Sequence, residues 1–133
     1  MKRSGRSNER GAALVEMALV LGLLLLLVMG IVDLGRAYNN YIIIINASRE
    51  GARYASRYPN DGSGIISATR SEATNSGIVP TDIRVTITGL NAPTGLPIKI
   101  ETAYEYQTIL GGLIGVNTIT LRASTEMVVF GFD

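Results

Sequence analysis

The feature that most constrains this chain is an apolar run from residue 12 to residue 32. Glu16 is the only charged residue in this run. About 20 apolar residues in a helix are enough to cross roughly 30 Å of hydrocarbon. A charged side chain within such a helix costs about 2.5–3.5 kcal/mol on insertion scales, so a partner or a function should compensate for Glu16. The run therefore predicts a single-pass membrane protein in which Glu16 marks a site.

A short basic leader precedes the apolar run. Its net charge is four minus one, or +3, from Lys2, Arg3, Arg6, Arg10 and Glu9. By the positive-inside rule, we expect the N-terminus in the cytoplasm and the chain beyond Asp33 outside the cytoplasmic (inner) membrane. A secretory signal peptide is the alternative, but its apolar region is usually only about 7–15 residues long and ends in a small-residue cleavage site.

The apolar run is predicted to form the first half of one long helix from about Ala12 to Arg57, since no proline interrupts this range. Turn-forming residues at 58–64 then mark the clearest boundary in the chain. Apolar residues at helical spacing follow this turn, and they predict a short second helix with Asp61 or Ser63 as its N-cap.

From residue 82 onward, apolar and polar residues alternate in three stretches, which predicts three half-buried antiparallel strands. The apolar members are Ile83, Val85 and Ile87; then Ile98, Ile100, Tyr104 and Tyr106; then Ile119, Leu121, Ala123, Met127 and Val129. A small sheet with one bare apolar face is not stable alone, so the two helices must cover it. We therefore expect an α+β fold with a leader at 1–11, a membrane and stalk helix at 12–57, and a small extracytoplasmic domain at 58–133.

Two interpretations are open for the block from residue 48 to residue 57. In the first, basic side chains face the acids of a partner subunit, and the contact residues are Arg49, Glu50, Gly51 and Arg53. In the second, a stripe of small residues packs on the chain's own sheet and the arginines are solvated. Arg53 would then pair with Glu50, which contributes about 0.2–0.5 kcal/mol.

The connection between the last two predicted strands, residues 107–117, is apolar and rich in glycine. It lacks the Lys-Ser/Thr ending of a phosphate-binding loop, so a nucleotide is not expected there. Such a loop either folds back over the open end of the core or contacts another subunit or the bilayer.

The chain contains no cysteine and no histidine. It therefore lacks disulfides, thiol nucleophiles, cysteine metal ligands and the commonest acid–base side chain. We expect no enzyme activity, no cofactor and no metal. Basic residues are not clustered in the way that a nucleic-acid footprint requires, so no nucleic acid is expected as a partner.

The sequence Gly11-Ala12-Ala13-Leu14-Val15-Glu16, after a basic leader and before a long apolar helix, resembles the class III signal of type IV pilins and pseudopilins. Three longer stretches are similar to TadE/TadG-like pseudopilins of tight-adherence secretion systems: residues 10–37, residues 48–55 and residues 119–127. The resemblance is strong over the N-terminal half and covers the C-terminal half only in outline.

This resemblance implies that a prepilin peptidase cuts between Gly11 and Ala12 on the cytoplasmic side. Glu16 would then be the fifth residue of the mature chain, and it would pair with the Ala12 α-amino group of a neighbouring subunit to set the register of packed helices. The implied partners are the peptidase, other pilins or pseudopilins, the inner-membrane assembly platform of the pilus and membrane lipid.

The function implied by the resemblance is that of a minor pilin or pseudopilin that initiates, caps or regulates a tight-adherence type IV pilus. One alternative is an unprocessed single-pass membrane protein whose outer domain binds a partner. The other is a major pilus subunit, although the resemblance implies that major subunits of these systems are much shorter.

Overall fold

One long helix, a short second helix and a three-stranded sheet make up the part of the chain that the structure, a computed structural model, describes: residues 5–74 and 76–130. In chain order the elements are α1 (Gly5–Ala55), α2 (Gly62–Ser71), a 3-10 helix (Pro80–Asp82), β1 (Arg84–Thr88), β2 (Pro97–Gln107), α3 (Gly111–Ile114) and β3 (Thr118–Val128). The α+β fold class predicted from the sequence, with its long and short helices and its antiparallel sheet, is confirmed.

Helix α1 contains 51 residues, which corresponds to about 76 Å at 1.5 Å per residue. It begins seven residues before Ala12, the predicted start, and ends two residues before Arg57, the predicted end. The last turn closes with the amide of Ser56 donating to the carbonyl of Ala52 at 2.9 Å. The Arg57 amide then donates to the Tyr54 carbonyl, an i−3 bond that tightens the helix end before Pro59.

The sheet has the strand order β1-β2-β3, and both pairings are antiparallel. In the register, Ile100 at the centre of β2 lies opposite Ile87 of β1 and Thr125 of β3. The alternation predicted for β2 is present, with Ile98, Ile100, Thr102 and Tyr106 buried on the face toward the helices. Ile119, at the start of β3, is 43% exposed although it was predicted on the apolar face.

Two threonines on the apolar face of the sheet bind α1 directly. The hydroxyl of Thr102 donates to the carbonyl of Ile44 at 2.9 Å, and the hydroxyls of Thr125 and Ser48 lie 2.8 Å apart. Buried hydroxyls without partners would be costly, so these bonds fix which turn of α1 lies over which strand position.

The second half of α1 and the helix α2 cover the sheet together. The core consists of two neighbouring clusters: Ala52, Ala55, Ile65, Ile98, Ile100 and Val129 in one, and Ile44, Ala73, Ile78 and Ile83 in the other. The four consecutive isoleucines at 42–45 are helical, and only Ile44 among them is fully buried. Small residues on α1 let α2 and β2 approach its backbone closely.

Gly51 lies at the closest of these approaches. A Cβ added there would collide with the Oγ1 of Thr69 on α2 and would lie 3.2 Å from the Cγ2 of Ile100. The Thr69 hydroxyl already donates to the Ile65 carbonyl at 2.8 Å, so it cannot move aside without losing that bond. The stripe of small residues therefore packs inside the chain, as the second interpretation of this block predicts.

We predict that Gly51→Ala destabilises the domain by about 1–3 kcal/mol, the usual cost of adding a methyl group to a filled core. Gly35→Ala is the matched control, because a Cβ at this helical glycine meets no atom within 4 Å; it should gain up to about 1 kcal/mol from helix propensity. Thermal unfolding of the two variants in detergent, followed by the near-ultraviolet circular dichroism of tyrosine, makes the comparison. Equal melting temperatures would contradict the packing described here.

Asp61 organises the turn between α1 and α2, as the sequence predicted for the cap. Its carboxylate accepts hydrogen bonds of 2.8 Å from the amide of Gly64, the hydroxyl of Ser63 and the hydroxyl of Tyr54. These donors, the Gly64 amide foremost, lower the pKa of Asp61 below its usual value. One carboxylate thus caps α2 and ties it to the last turn of α1.

Because the pKa of Asp61 is lower in the folded chain, its contribution to stability is present above the unfolded pKa near about 4 and is lost as the pH falls through the folded pKa. Asp61→Asn keeps a capping side chain but removes this titration. We expect the variant to melt below the parent at neutral pH, where the ionised Asp61 contributes, and the difference to shrink as the pH falls below about 4. Melting curves from pH 7 to pH 3 test this, and parallel pH profiles would contradict it.

Candidate membrane and subunit-contact surfaces

The first half of α1 presents an uncovered apolar surface. The exposed large side chains between residues 14 and 32 include Leu14, Leu19, Leu23, Leu25, Leu27 and Ile31, each more than half exposed. Among the described residues α1 is the only helix long and apolar enough to cross a membrane, and none of its most apolar segment is buried in the chain. This helix fits a single-pass membrane anchor.

The residues predicted for processing and assembly lie at the start of this surface. Gly11, Ala12 and Glu16 are all exposed, and all are within the continuous helix α1. A Cβ at Gly11 would meet no atom within 4 Å, so packing inside the chain does not require glycine there. Ala12 and Glu16 are four residues apart and therefore lie on one face of α1. Within the described ranges Glu16 has no ion-pair partner.

At the other end of the apolar surface, Asp33 joins α1 to the far end of the sheet. Its Oδ1 accepts from the Tyr106 hydroxyl at 3.0 Å and from the Ile109 amide at 2.9 Å, and its Oδ2 accepts from the Leu110 amide at 2.7 Å. Asp33 itself is 8% exposed. We call Asp33, Tyr106, Ile109 and Leu110 the Asp33 cluster.

Tyr106 remains a hydrogen-bond donor in this cluster. Burial raises the pKa of Tyr106, and its bond to Asp33 raises it further. The guanidinium of Arg36 lies 5.7 Å from the centre of the Tyr106 ring, within the range of a cation–π contact. An acidic, an aromatic and a basic side chain thus lie together at the point where the apolar surface of α1 ends.

Sequence reasoning did not identify the Asp33 cluster. From the sequence, Asp33 is only the residue that ends the apolar run. Its partners are backbone amides 76 and 77 positions further along the chain, which no local pattern marks. One sequence signal does indicate the cluster, namely that Asp33 directly follows the apolar run. The carboxylate of an acid at the end of a spanning segment needs hydrogen-bond donors from the protein, because little water is available there.

The four predicted contact residues on the second half of α1 separate into two groups. Gly51 lies inside the chain, against α2. Arg49 and Arg53 are exposed, and Glu50 is half-buried. The Arg53 Nη2 lies 2.6 Å from the Glu50 Oε1, so the predicted Glu50–Arg53 ion pair is present. In the part of the chain that the structure describes, Arg49 forms no ion pair.

Comparison with known families identifies the N-terminal segment. The family model described as TadE-like protein matches residues 11–53. Over these residues the resemblance to TadE-like proteins predicted from the sequence is confirmed. The match begins at Gly11 and includes Glu16, Asp33 and Arg53. It covers 43 of the 133 residues, about a third of the chain. No curated protein and no solved structure matches the chain.

TadE-like proteins are structural pilus components, and residues 11–53 of this chain are similar to them. Residues 5–74 and 76–130 contain no group of three or more acidic, histidine or cysteine side chains placed to hold a metal. An open groove of about 900 Å³ lies beside α1 and the sheet, and residues of all three strands line it together with Tyr41, Ile45 and Arg49 of α1.

The hydrogen bonds of the Asp33 cluster can be tested directly. We predict that Asp33→Ala accelerates amide hydrogen exchange at Ile109 and Leu110 by about tenfold or more, since each amide loses a hydrogen bond to a charged acceptor. Asp33→Asn, which retains one acceptor oxygen, should show a smaller effect. Exchange is measured by NMR or mass spectrometry on the full chain in detergent micelles.

Tyr106→Phe is the matched control, because it removes one donor of the cluster and leaves both amide bonds to Asp33 in place. Its effect on exchange at Ile109 and Leu110 should be smaller than that of Asp33→Ala. Unchanged exchange at both amides in Asp33→Ala would contradict the role given to the carboxylate.

Proposed function

We propose that this chain is a minor pilin or pseudopilin that a prepilin peptidase processes and that assembles through α1. In this role it initiates, caps or regulates a tight-adherence type IV pilus. The observation that carries the proposal is the TadE-like match, which begins at Gly11 and contains Glu16. The uncovered apolar surface of α1 supports it, because a helix of this kind has to be covered by lipid or by other helices.

The proposed cleavage lies between Gly11 and Ala12, in the first turns of α1. A peptidase needs an extended substrate, so the helix has to unwind locally before the bond can be cut. Glycine lowers the cost of that unwinding by about 1 kcal/mol relative to alanine. The basic leader keeps this bond at the cytoplasmic surface, and the folded domain then lies outside the inner membrane.

Cleavage would create a positively charged α-amino group on Ala12, one helical turn from the Glu16 carboxylate. In a bundle of packed helices, both charges lie in a medium of low dielectric constant, where an unpaired charge is costly. Pairing between neighbouring subunits satisfies both charges at one axial offset of the helices. Glu16 would therefore set the register of assembly.

The exposed charges on the second half of α1 provide a second proposed contact with another pilin or pseudopilin. Arg49 lines the open groove beside α1 and the sheet, and the Glu50–Arg53 pair lies close to it on the same helix. An acidic side chain of a neighbouring subunit would complement Arg49. The assembly platform of the inner membrane and the surrounding lipid are the other proposed partners.

Glu16 offers the sharpest test of this function. We predict that Glu16→Ala and Glu16→Gln reduce the amount of the chain in sheared pili at least about tenfold, since removing one member of a buried ion pair costs about 3–5 kcal/mol. Membrane insertion should not fall, because the substitution removes a charge from the spanning segment. Immunoblots of sheared pili and of membranes from the same cells measure both quantities.

Glu16→Asp is the control, because it keeps the carboxylate and should retain more assembled protein than Glu16→Gln. If Glu16→Ala entered pili at the parental level, the register role would be refuted. The same blots give the copy number of the chain. A quantity equal to that of the main filament protein would identify a major subunit and contradict the minor role.

A further inference from the structure

The connection between β2 and β3, residues 108–117, has exposed apolar side chains at its tip. Leu113 is 69% exposed, Val116 is 50% exposed and Ile109 is 46% exposed. This β2–β3 loop therefore does not fold back to bury these side chains in the core. From Gln107 to Asn117 it contains no charged residue.

The Asp33 cluster determines where this loop lies along α1. Strand β2 runs antiparallel to α1, because Thr102 bonds to the Ile44 carbonyl and Tyr106 bonds to Asp33. The amides of Ile109 and Leu110 bind the Asp33 carboxylate itself. Residues 111–116 follow these two amides, beyond the end of β2.

The turn of α1 that precedes Asp33 has a pattern of exposure that agrees with this position. Met29 lies four residues before Asp33, on the same face of the helix. It is half-buried, whereas Leu25, Leu27 and Ile31 are exposed. The loop thus lies beside the end of the apolar surface.

The backbone of the loop is suited to a region of low water content. Within the loop and its flanks, the Thr108 amide donates to the Asn117 carbonyl, the Leu113 amide to the Leu110 carbonyl and the Gly115 amide to the Gly111 carbonyl. The Thr108 hydroxyl donates to the Val116 carbonyl at 2.7 Å. Each of these bonds lowers the cost of placing a backbone polar group where water is scarce.

We propose that the β2–β3 loop inserts the side chains of Leu113 and Val116 into the interface of the membrane that α1 crosses. The occupant of this surface is lipid, at the boundary between headgroups and acyl chains, about 5–10 Å deep as for other interfacial apolar faces. The loop and α1 then form two contacts with one leaflet, and these contacts hold the folded domain at a fixed height and rotation. The proposal rests on α1 crossing a membrane, as in the proposed function.

Two features favour lipid over a protein partner. The base of the loop, at Ile109 and Leu110, is bound to Asp33, where the apolar surface of α1 ends. Tyrosine and arginine side chains follow Asp33 on α1 within five residues. Tyr38 is 64% exposed, and Arg36 is exposed beside Tyr106. Aromatic and basic side chains of this kind are enriched at membrane–water interfaces.

Because the chain has no cysteine, single-cysteine variants report on single positions. Leu113→Cys carries an environment-sensitive fluorophore at the loop tip. Leu24→Cys places the same label in the apolar segment of α1. Leu90→Cys is the matched control, because Leu90 is 45% exposed in the β1–β2 connection, at the opposite end of the sheet. Each full-length variant is reconstituted into vesicles of phosphatidylethanolamine and phosphatidylglycerol.

Quenching is then measured with iodide in the water and with lipids that carry a nitroxide at a shallow or a deep position. We expect the residue 113 label to lose fluorescence to the shallow nitroxide and to be protected from iodide relative to residue 90. Residue 24 should be quenched by the deep nitroxide. Iodide quenching at residue 113 equal to that at residue 90 would overturn the proposal.

Two further outcomes separate the possible failures. A residue 113 label that is protected from both kinds of quencher would indicate a protein contact and would also overturn the proposal. A residue 24 label that lipid nitroxides do not quench would show that α1 does not cross the membrane, so the proposed function would fail first. Lipid quenching at residue 24 without lipid quenching at residue 113 would overturn the loop proposal alone.

Discussion

One continuous helix carries an uncovered apolar segment and a segment packed on the folded domain, and the rest of the structure depends on this constraint. Residues 17–32 of α1 are apolar and all of them except Met29 are exposed, whereas from Ile44 to Ala55 one face of the same helix is buried against the sheet and α2. Asp33 lies at the end of the apolar segment, and its carboxylate binds the far end of β2 and the loop that follows. Tyr106, Ile109 and Leu110 thus tie the position of the domain to the end of the apolar segment.

The sheet is too small to exist without this helix. It has three strands, two of them at edges, and sheets of this size need a packed face. Helix α1 supplies that face through small residues such as Gly51, which admit α2 and β2 at close range. The bonds from Thr102 and Thr125 to α1 then select one alignment of helix and strand. Assembly through the helix would therefore carry the whole domain with it.

Much of this architecture could be predicted from periodicity, because an element with one buried face has apolar residues at regular intervals along its own sequence. The alternation at Ile98 and Ile100 predicts β2, and the turn residues before α2 predict a cap at Asp61 or Ser63, of which the structure has Asp61. The loop and the Asp33 cluster could not be predicted in the same way. The partners of Asp33 are backbone amides far along the chain, which every sequence offers equally. The role of Glu16 depends on other subunits, and the sequence indicates it only through the resemblance to pilins.

We propose that this chain is a processed, pilin-like subunit, and the N-terminus of the protein in native membranes tests this proposal most directly. Intact mass and N-terminal sequence are measured with and without the host's prepilin peptidase. We predict a chain that begins at Ala12 only when the peptidase is present. A chain that retains residues 1–11 in the presence of the peptidase would contradict it and would leave α1 as an anchor for a partner-binding domain.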